Sequence, residues 1–341
     1  MTAPHSHTSS EGNGTVSGMQ IENRKNLMLF SGRAFPELTA EIGAKLGVAP
    51  TPTTAYDFAN GEIFIRFQDS VRGSDAFVVQ SMATPINEWV METLIMLDAL
   101  KRGSAKRITV VLPFYPYGRQ DKKHRGREPI SARLVADLFK TAGANRILTV
   151  DLHTSQIQGF FDGPVDHLFA MPLLAEHIQR TYAGRDLAVV APDSGRVRVA
   201  ERWTDMLGGC PLAFIHKTRD PLVPNQVVAN RVVGEVEGRV CIVVDDMIDT
   251  GGTITKAADA LFDAGAADVI VAATHGVLSD PATERLKNSR ISEIVLTNTL
   301  PIPAEKQLDK LTVLSIAPLV ARAILEVFSD GSVTSMFGGT A

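Results

Sequence analysis

The chain has 341 residues, 45% of them hydrophobic, which is enough to bury a sizeable core and to build two ordinary domains. Its formal net charge of -4 at pH 7 argues against a broad nucleic-acid footprint, which needs a strongly basic face, and leaves small anions held by local basic clusters. Cys210 and Cys241 are too few for a disulfide framework or a zinc site, no apolar run reaches the roughly 18 residues of a membrane helix, and the amino terminus lacks a basic-then-apolar leader. These features lead to the expectation of a cytoplasmic protein with no nucleic-acid or membrane partner.

Residues 1–24 are rich in Ser, Thr, Gly and His with almost no aliphatic pattern, so the expectation there is a disordered tail in which His5 and His7 are inert. From Leu27 the chain alternates short apolar strands with helical patterns: a strand over 27–30, a helix over 36–46, a hairpin-like region over 55–67 and a strand over 76–80. A helix over 87–100, a strand over 107–112, a helix over 131–142 and a strand over 147–150 follow. The second half repeats the rhythm, with a helix over 173–181, a strand over 187–191, a helix over 197–207, a strand over 213–215, and then an apolar strand over 240–244 that leads to a helix from Ile254. This pattern is α/β with mainly parallel sheets.

An internal echo supports two tandem domains of similar topology. Gly143 and Gly265 sit in matching Ala-Gly-Ala sequences after a Leu-Phe helix end, each followed by a strand and then by His153 or His275, and both pairs are 122 residues apart. The boundary is expected near 166–172, giving domains over 25–169 and 170–341.

Four segments carry chemistry. In Val240-Cys-Ile-Val-Val-Asp-Asp-Met-Ile-Asp-Thr-Gly-Gly-Thr-Ile254, an apolar strand runs into Asp245 and Asp246, then Asp249, Thr250, Gly251, Gly252 and Thr253, then a helix. Two glycines allow close backbone approach, so loop amides, hydroxyls and a helix N-terminus converge on one phosphate, while the paired acids suit sugar hydroxyls or a magnesium ion. A strand-to-helix turn can carry Asp, Thr and Gly for capping alone; the whole order points to a ligand, and no Gly-Lys-Ser/Thr follows to make it a Walker loop. The segment from Tyr115 to Pro129 packs Arg119, Lys122, Lys123, Arg125 and Arg127 after a strand, a placement that favours a nucleotide over a merely solvated loop. Asp151 and His153 also follow a strand. So do His216, Lys217 and Arg219, whose segment with Pro221 and Pro224 reads as a loop able to close over a polyphosphate.

The 240–254 segment resembles the phosphoribosyl pyrophosphate signature, which alone names a ligand and not a reaction. Together with Asp57-Phe-Ala-Asn-Gly-Glu62, Ser70-Val-Arg-Gly73, Gly118-Arg-Gln-Asp-Lys122, Arg127-Glu-Pro-Ile-Ser131, Gln156-Ile-Gln-Gly-Phe-Phe161, Pro192-Asp193 and His216-Lys217, it makes the chain similar to the ribose-phosphate pyrophosphokinases from about Leu27 to Phe337. The resemblance implies two phosphoribosyltransferase-like (Rossmann-like) domains and transfer of the diphosphoryl group of magnesium ATP to the 1-hydroxyl of ribose 5-phosphate. It implies ATP-binding roles for Phe58, Asn60 and Glu62, supplied to a neighbouring subunit, and for Arg119 and Gln120. A ribose 5-phosphate role falls to Asp245, Asp246 and Asp249–Thr253, a Mg2+ role to His153 and Asp193, and a catalytic role to Lys217, Arg219 and His153.

The same resemblance implies a homo-oligomer, a hexamer, with phosphate or ADP regulation through Ser70, Arg72, Arg127, Ser332, Val333 and Thr334; the bland alternative for the tail residues is C-terminal docking. Asn60 stands where many members carry Asp, and Arg196 where a second Gly is usual. A salvage phosphoribosyltransferase and a non-catalytic regulatory paralogue remain as rival readings.

Overall fold

The structure, a computed structural model, describes residues 26–219 and 227–338, with the backbone alone at 217–219 and 227–230. The expected tail over 1–24 lies outside the described residues. The chain runs β1 (Leu27–Ser31), α1 (Pro36–Leu46), β2 (Thr53–Asp57), β3 (Ile63–Phe67), β4 (Asp75–Val79), α2 (Ile86–Arg102), β5 (Arg107–Leu112), α3 (Ser131–Ala142), β6 (Arg146–Val150) and β7 (Val165–Leu168). It continues with α4 (Met171–Thr181), β8 (Leu187–Ala191), α5 (Val197–Met206), β9 (Leu212–Arg219), β10 (Val227–Val233), β11 (Val240–Ile248), α6 (Gly252–Asp263), β12 (Asp268–Gly276), α7 (Ala282–Lys287), β13 (Glu293–Thr297), β14 (Leu311–Leu314) and α8 (Ala317–Phe328).

The first sheet has the order β1-β4-β5-β6-β7 and every pairing in it is parallel. The second has the order β10-β9-β8-β11-β12-β13-β14, parallel throughout except for the antiparallel β9–β10 pair. Strands with both faces covered must be apolar throughout, and Val240 to Val244 are all buried, with Val243 opposite Val190 and Val271. One sheet ends at Leu168, and the helix from Met171 packs on strands of the other.

The two sheets share one core on their facing sides, while their outer faces bury separate clusters, one around Phe30, Val78 and Phe139 and one around Val190, Val243 and Leu261. Leu29, Ile42, Val79 and Val150 join Val189, Ile242, Val295 and Ile324 in a single buried cluster, where each fully buried aliphatic side chain contributes about 1.5–3 kcal/mol. The last helix, α8, packs against the first, α1, and Ser315 Oγ donates to Glu41 Oε1 at 2.6 Å in the same contact region.

Strands β2 and β3 form a hairpin of their own, outside both sheets. Arg33 fixes its base. The guanidinium donates to the fully buried Glu92 at 2.5 Å and to Asp57 Oδ1 at 2.7 Å, and Arg33 holds the Asp57 carboxyl below its usual range. Tyr56 stacks on Phe64 with ring centroids 4.8 Å apart, and Phe58 lies edge-on to Tyr56 while remaining nearly half exposed.

Candidate active site

In the second sheet the chain leaves β8 for β9 on one side and later returns to place β11 on the other. The crevice at the carboxyl ends of β8 and β11 is therefore a topological switch point, where open α/β sheets bind ligands. Asp193 follows β8. Strand β11 runs on to Ile248, four residues past the expected end, so Asp245 and Asp246 lie inside its last stretch. Gly251, at φ 73°, makes the left-handed turn that starts α6, a conformation L side chains adopt only with strain. Gly252 and Thr253 consequently form the first turn of the helix and not a loop. The amides of that turn have no partner within the helix, its residues line the crevice, and Ile254, Ala257, Ala258 and Leu261 anchor the helix on its buried stripe.

Two chambers meet here. One, of about 200 Å³, is lined by Asp193, Arg196, Asp245, Asp246 and the Asp249–Thr253 turn; the other, of about 270 Å³, is lined by Tyr117, Gln120, Leu152, Val277 and Ser279 among others. Arg119, His153 and Asp249 line both. The structure thus brings the post-β5 and post-β6 segments of one half onto the turn of the other, as the placement of Arg119, Gln120 and His153 at strand ends leads one to expect. Gln120 accepts a hydrogen bond from Ser131 Oγ at 2.5 Å, and its backbone carbonyl receives the amide of Ala132.

His153 donates from Nδ1 to Asp246 Oδ2 at 2.6 Å. Arg196 spans the acids, with Nε 3.2 Å from Asp245 Oδ1 and Nη2 2.6 Å from Asp246 Oδ1, and its Nη1 donates to the His153 carbonyl at 3.3 Å. Burial alone would push Asp246 up, but the His153 hydrogen bond and the Arg196 charge outweigh it and hold the carboxyl below its usual range. Burial, reinforced by the neighbouring Asp246 charge, pushes Asp245 well above that range. The Asp193 carboxylate accepts from the Gly195 amide at 2.9 Å, shaping the turn that delivers Arg196. Arg196 is the residue whose role the sequence left unread: its contacts span the two halves.

Behind the site the echo becomes contact. Thr274 Oγ1 donates to Asp151 Oδ2 at 2.6 Å, and His275 donates from Nε2 to the Asp151 carbonyl at 3.0 Å while Nδ1 accepts from the Thr299 hydroxyl at 2.9 Å. The equivalent strands β6 and β12 therefore meet end against end across the seam. Asp151 holds a left-handed φ of 39°, and its carboxylate also takes the Ala170 amide.

Among the described residues no group of three or more His, Cys, Asp or Glu side chains converges as a metal cage. Magnesium fits this donor set nonetheless, since it keeps several waters and takes one or two carboxylates plus substrate phosphates. Asp245 and Asp246 are such carboxylates, held together in one crevice.

Other expected residues lie elsewhere. Phe58, Asn60 and Glu62 occupy the exposed hairpin tip, where Asn60 Oδ1 accepts from the Glu62 amide at 3.2 Å, and they line neither chamber. Lys217 and Arg219 fall within β9, which extends beyond residue 215 to pair with β10 (Lys217 opposite Asn230, Arg219 opposite Val227), so they belong to a strand and not to the loop expected there; their side chains and Pro221 and Pro224 lie outside the described residues. An edge arm of this kind needs no apolar pattern, which is why the polar stretch reads as loop. Within one chain Ser70 and Arg72 precede the amino end of β4, whereas Arg127 lies in the connection after the carboxyl end of β5. Val333 is packed at the edge of the core, flanked by exposed Ser332 and Thr334, and the tail is tied down through Asp330, which pairs with Arg107 at 2.5 Å.

Residues 27–143 match the family described as the N-terminal domain of ribose phosphate pyrophosphokinase, and residues 211–338 match the phosphoribosyl synthetase-associated domain. The chain is 66% identical over 322 residues to the ribose-phosphate pyrophosphokinase of Streptomyces coelicolor, covering 94% of this chain and 99% of that protein. The chain belongs to the ribose-phosphate pyrophosphokinase family. The ribose-phosphate pyrophosphokinase of Mycobacterium tuberculosis is also 66% identical, over 94% of this chain and 98% of its own length. A crystal structure of phosphoribosylpyrophosphate synthetase from Mycobacterium smegmatis superposes with a TM-score of 0.86 at 66% identity, covering 90% of this chain and 100% of that one. The match extends over both halves and includes the turn after β11. No helix among the described residues is long and apolar enough to cross a membrane.

Proposed function

We propose that this member of the family is a ribose-phosphate diphosphokinase that transfers the β,γ-diphosphoryl group of ATP to the 1-hydroxyl of ribose 5-phosphate, giving 5-phosphoribosyl 1-pyrophosphate and AMP. One observation carries the assignment of the site: Arg119 and His153 from one half line the same crevice as the Asp249–Thr253 turn from the other, so a nucleotide phosphate chain and a sugar phosphate can be held side by side.

In this reading the first-turn amides of α6 and the hydroxyls of Thr250 and Thr253 hold the 5-phosphate, and Asp245 and Asp246 accept from the ribose hydroxyls. Arg119 and Gln120 hold the nucleotide, and Phe58, Asn60 and Glu62 serve the adenine of a neighbouring subunit's nucleotide. The 1-hydroxyl oxygen bonds to the β-phosphorus as the bridge to the α-phosphate breaks, and its proton is released. Lys217 and Arg219 neutralise charge on the departing AMP, and positioning with charge neutralisation suffices, without a covalent intermediate. Bound magnesium would be held by His153 and Asp193 beside the Asp245–Asp246 carboxylates, and would supply polarisation of the phosphoryl oxygens.

The protein is read as a cytoplasmic homo-oligomer, a hexamer. Ser70, Arg72, Arg127 and the Ser332–Thr334 tail form a phosphate or ADP site between subunits, a reading supported by the placement of Ser70 and Arg127 near opposite ends of the first sheet in one chain. The deciding assay combines the protein with ribose 5-phosphate, ATP, magnesium and phosphate. AMP should appear in step with phosphoribosyl pyrophosphate; formation of ADP, or no turnover, would overturn the assignment.

A further inference from the structure

We propose that Arg196 is a resident counter-cation of the site, which occupies the Asp245–Asp246 carboxylates in the ligand-free protein and competes there with a divalent cation until a substrate phosphate draws it away. The inference rests on the reading of the crevice as a sugar-phosphate site.

The argument begins with two adjacent acids in a low-exposure crevice. The Asp245 and Asp246 side chains are 15% and 8% exposed, and the guanidinium that spans them is 18% exposed. Acids so placed cannot both ionise without a cation close by, and Arg196 supplies one through separate nitrogens, one to each carboxyl group. Any cation that binds these oxygens must first displace that fork.

Arg196 also has somewhere to go. It stands at the start of α5, after the Asp193 turn at the end of β8, and it lines the same chamber as the Thr250–Thr253 phosphate cradle. A guanidinium pairs bidentately with a phosphate at least as well as with a carboxylate. An arriving substrate phosphate can therefore take the side chain and free the acids. Free cation is thereby kept off the empty site, and cation binding is coupled to binding of the anionic substrate.

The test reads cation binding, not turnover. Mn2+ is titrated into the full-length protein without substrates, with free Mn2+ followed by electron paramagnetic resonance. Arg196→Gln should bind Mn2+ about tenfold more tightly than the parent, and adding Asp246→Asn in that background should remove the gain. Arg196→Lys keeps the charge and should stay within about threefold of the parent. Ribose 5-phosphate should tighten Mn2+ binding more in the parent than in Arg196→Gln.

The proposal is overturned if Arg196→Gln, still folded by its unfolding transition, binds Mn2+ no more tightly, or if Arg196→Lys gains as much. Should Arg196→Gln not fold, the parent protein decides: the Arg196 Nε resonance should move when Mg2+ and ribose 5-phosphate are added together, and an unmoved resonance refutes the displacement. Failure to form phosphoribosyl pyrophosphate would count against the assigned reaction, whereas these binding results bear on Arg196 alone.

Discussion

Arg119 Nη1 lies 2.5 Å from Asp249 Oδ2, so a side chain from the connection after β5 closes on the turn after β11. The arginine is 60% exposed in this pair, and ion pairs so open to water contribute about 0–1 kcal/mol. Arg119→Ala should therefore leave the unfolding free energy nearly unchanged while raising KM for ATP about tenfold, because the residue is read as a nucleotide ligand. A loss of stability above about 2 kcal/mol in urea, with kinetics intact, would make the contact a structural strap instead.

The seam behind the site makes the opposite prediction. Thr274 is almost fully buried and donates to Asp151 Oδ2, and Thr274→Val keeps the shape while removing the donor. Leaving a desolvated acceptor short of a partner costs about 1–3 kcal/mol. Urea unfolding should show that loss, and a change under about 0.5 kcal/mol would mean that the Ala170 amide alone satisfies the carboxylate.

His167 makes stability depend on pH. Its Nε2 accepts the Leu152 amide at 2.9 Å, and burial, helped by the charges of His275 and Arg202, lowers its pKa from 6.5 to about 4. The folded protein thus favours the neutral ring. The contribution is fully present above about pH 6.5 and is lost as pH falls toward about 4, because over that window the unfolded chain takes up the proton first. The slope is at most about 1.4 kcal/mol per pH unit. Between pH 7 and pH 5 the parent should lose about 2 kcal/mol more than His167→Gln. Equal losses in the two proteins would show that the ring is not held neutral.

Lys217 tests the proposed chemistry. A donor that acts only on charge developing in the transition state changes kcat and leaves substrate binding nearly intact. Lys217→Ala should lower kcat about 10²–10³-fold with KM for ATP within about threefold. A large rise in KM at unchanged kcat would assign the lysine to ground-state binding.

Much of this fold is written locally. Val240 to Val244 read as an inner strand because every position is apolar, and the Gly143/Gly265 echo predicts equivalent strands, β6 and β12, because duplicated topology leaves duplicated punctuation. Polar β9 beyond Ile215 escapes such a reading, since the pairing that holds it comes from β10 and not from its own pattern. The contacts of Arg196 with Asp245, Asp246 and His153 escape it too. They join segments that are 43 to 50 residues apart in the chain, and nothing in a short window signals them.

The β2–β3 hairpin carries a consequence for mixtures of chains. Its tip holds Phe58, Asn60 and Glu62 away from the chambers of its own chain, so the proposed site is assembled from two copies. A chain disabled at Phe58 and a chain disabled at Thr250 are each inactive in this arrangement. Co-assembled, they regain the fraction of sites that combine the intact hairpin of one chain with the intact turn of the other, and genetic complementation between two dead alleles becomes a property of the hairpin's reach.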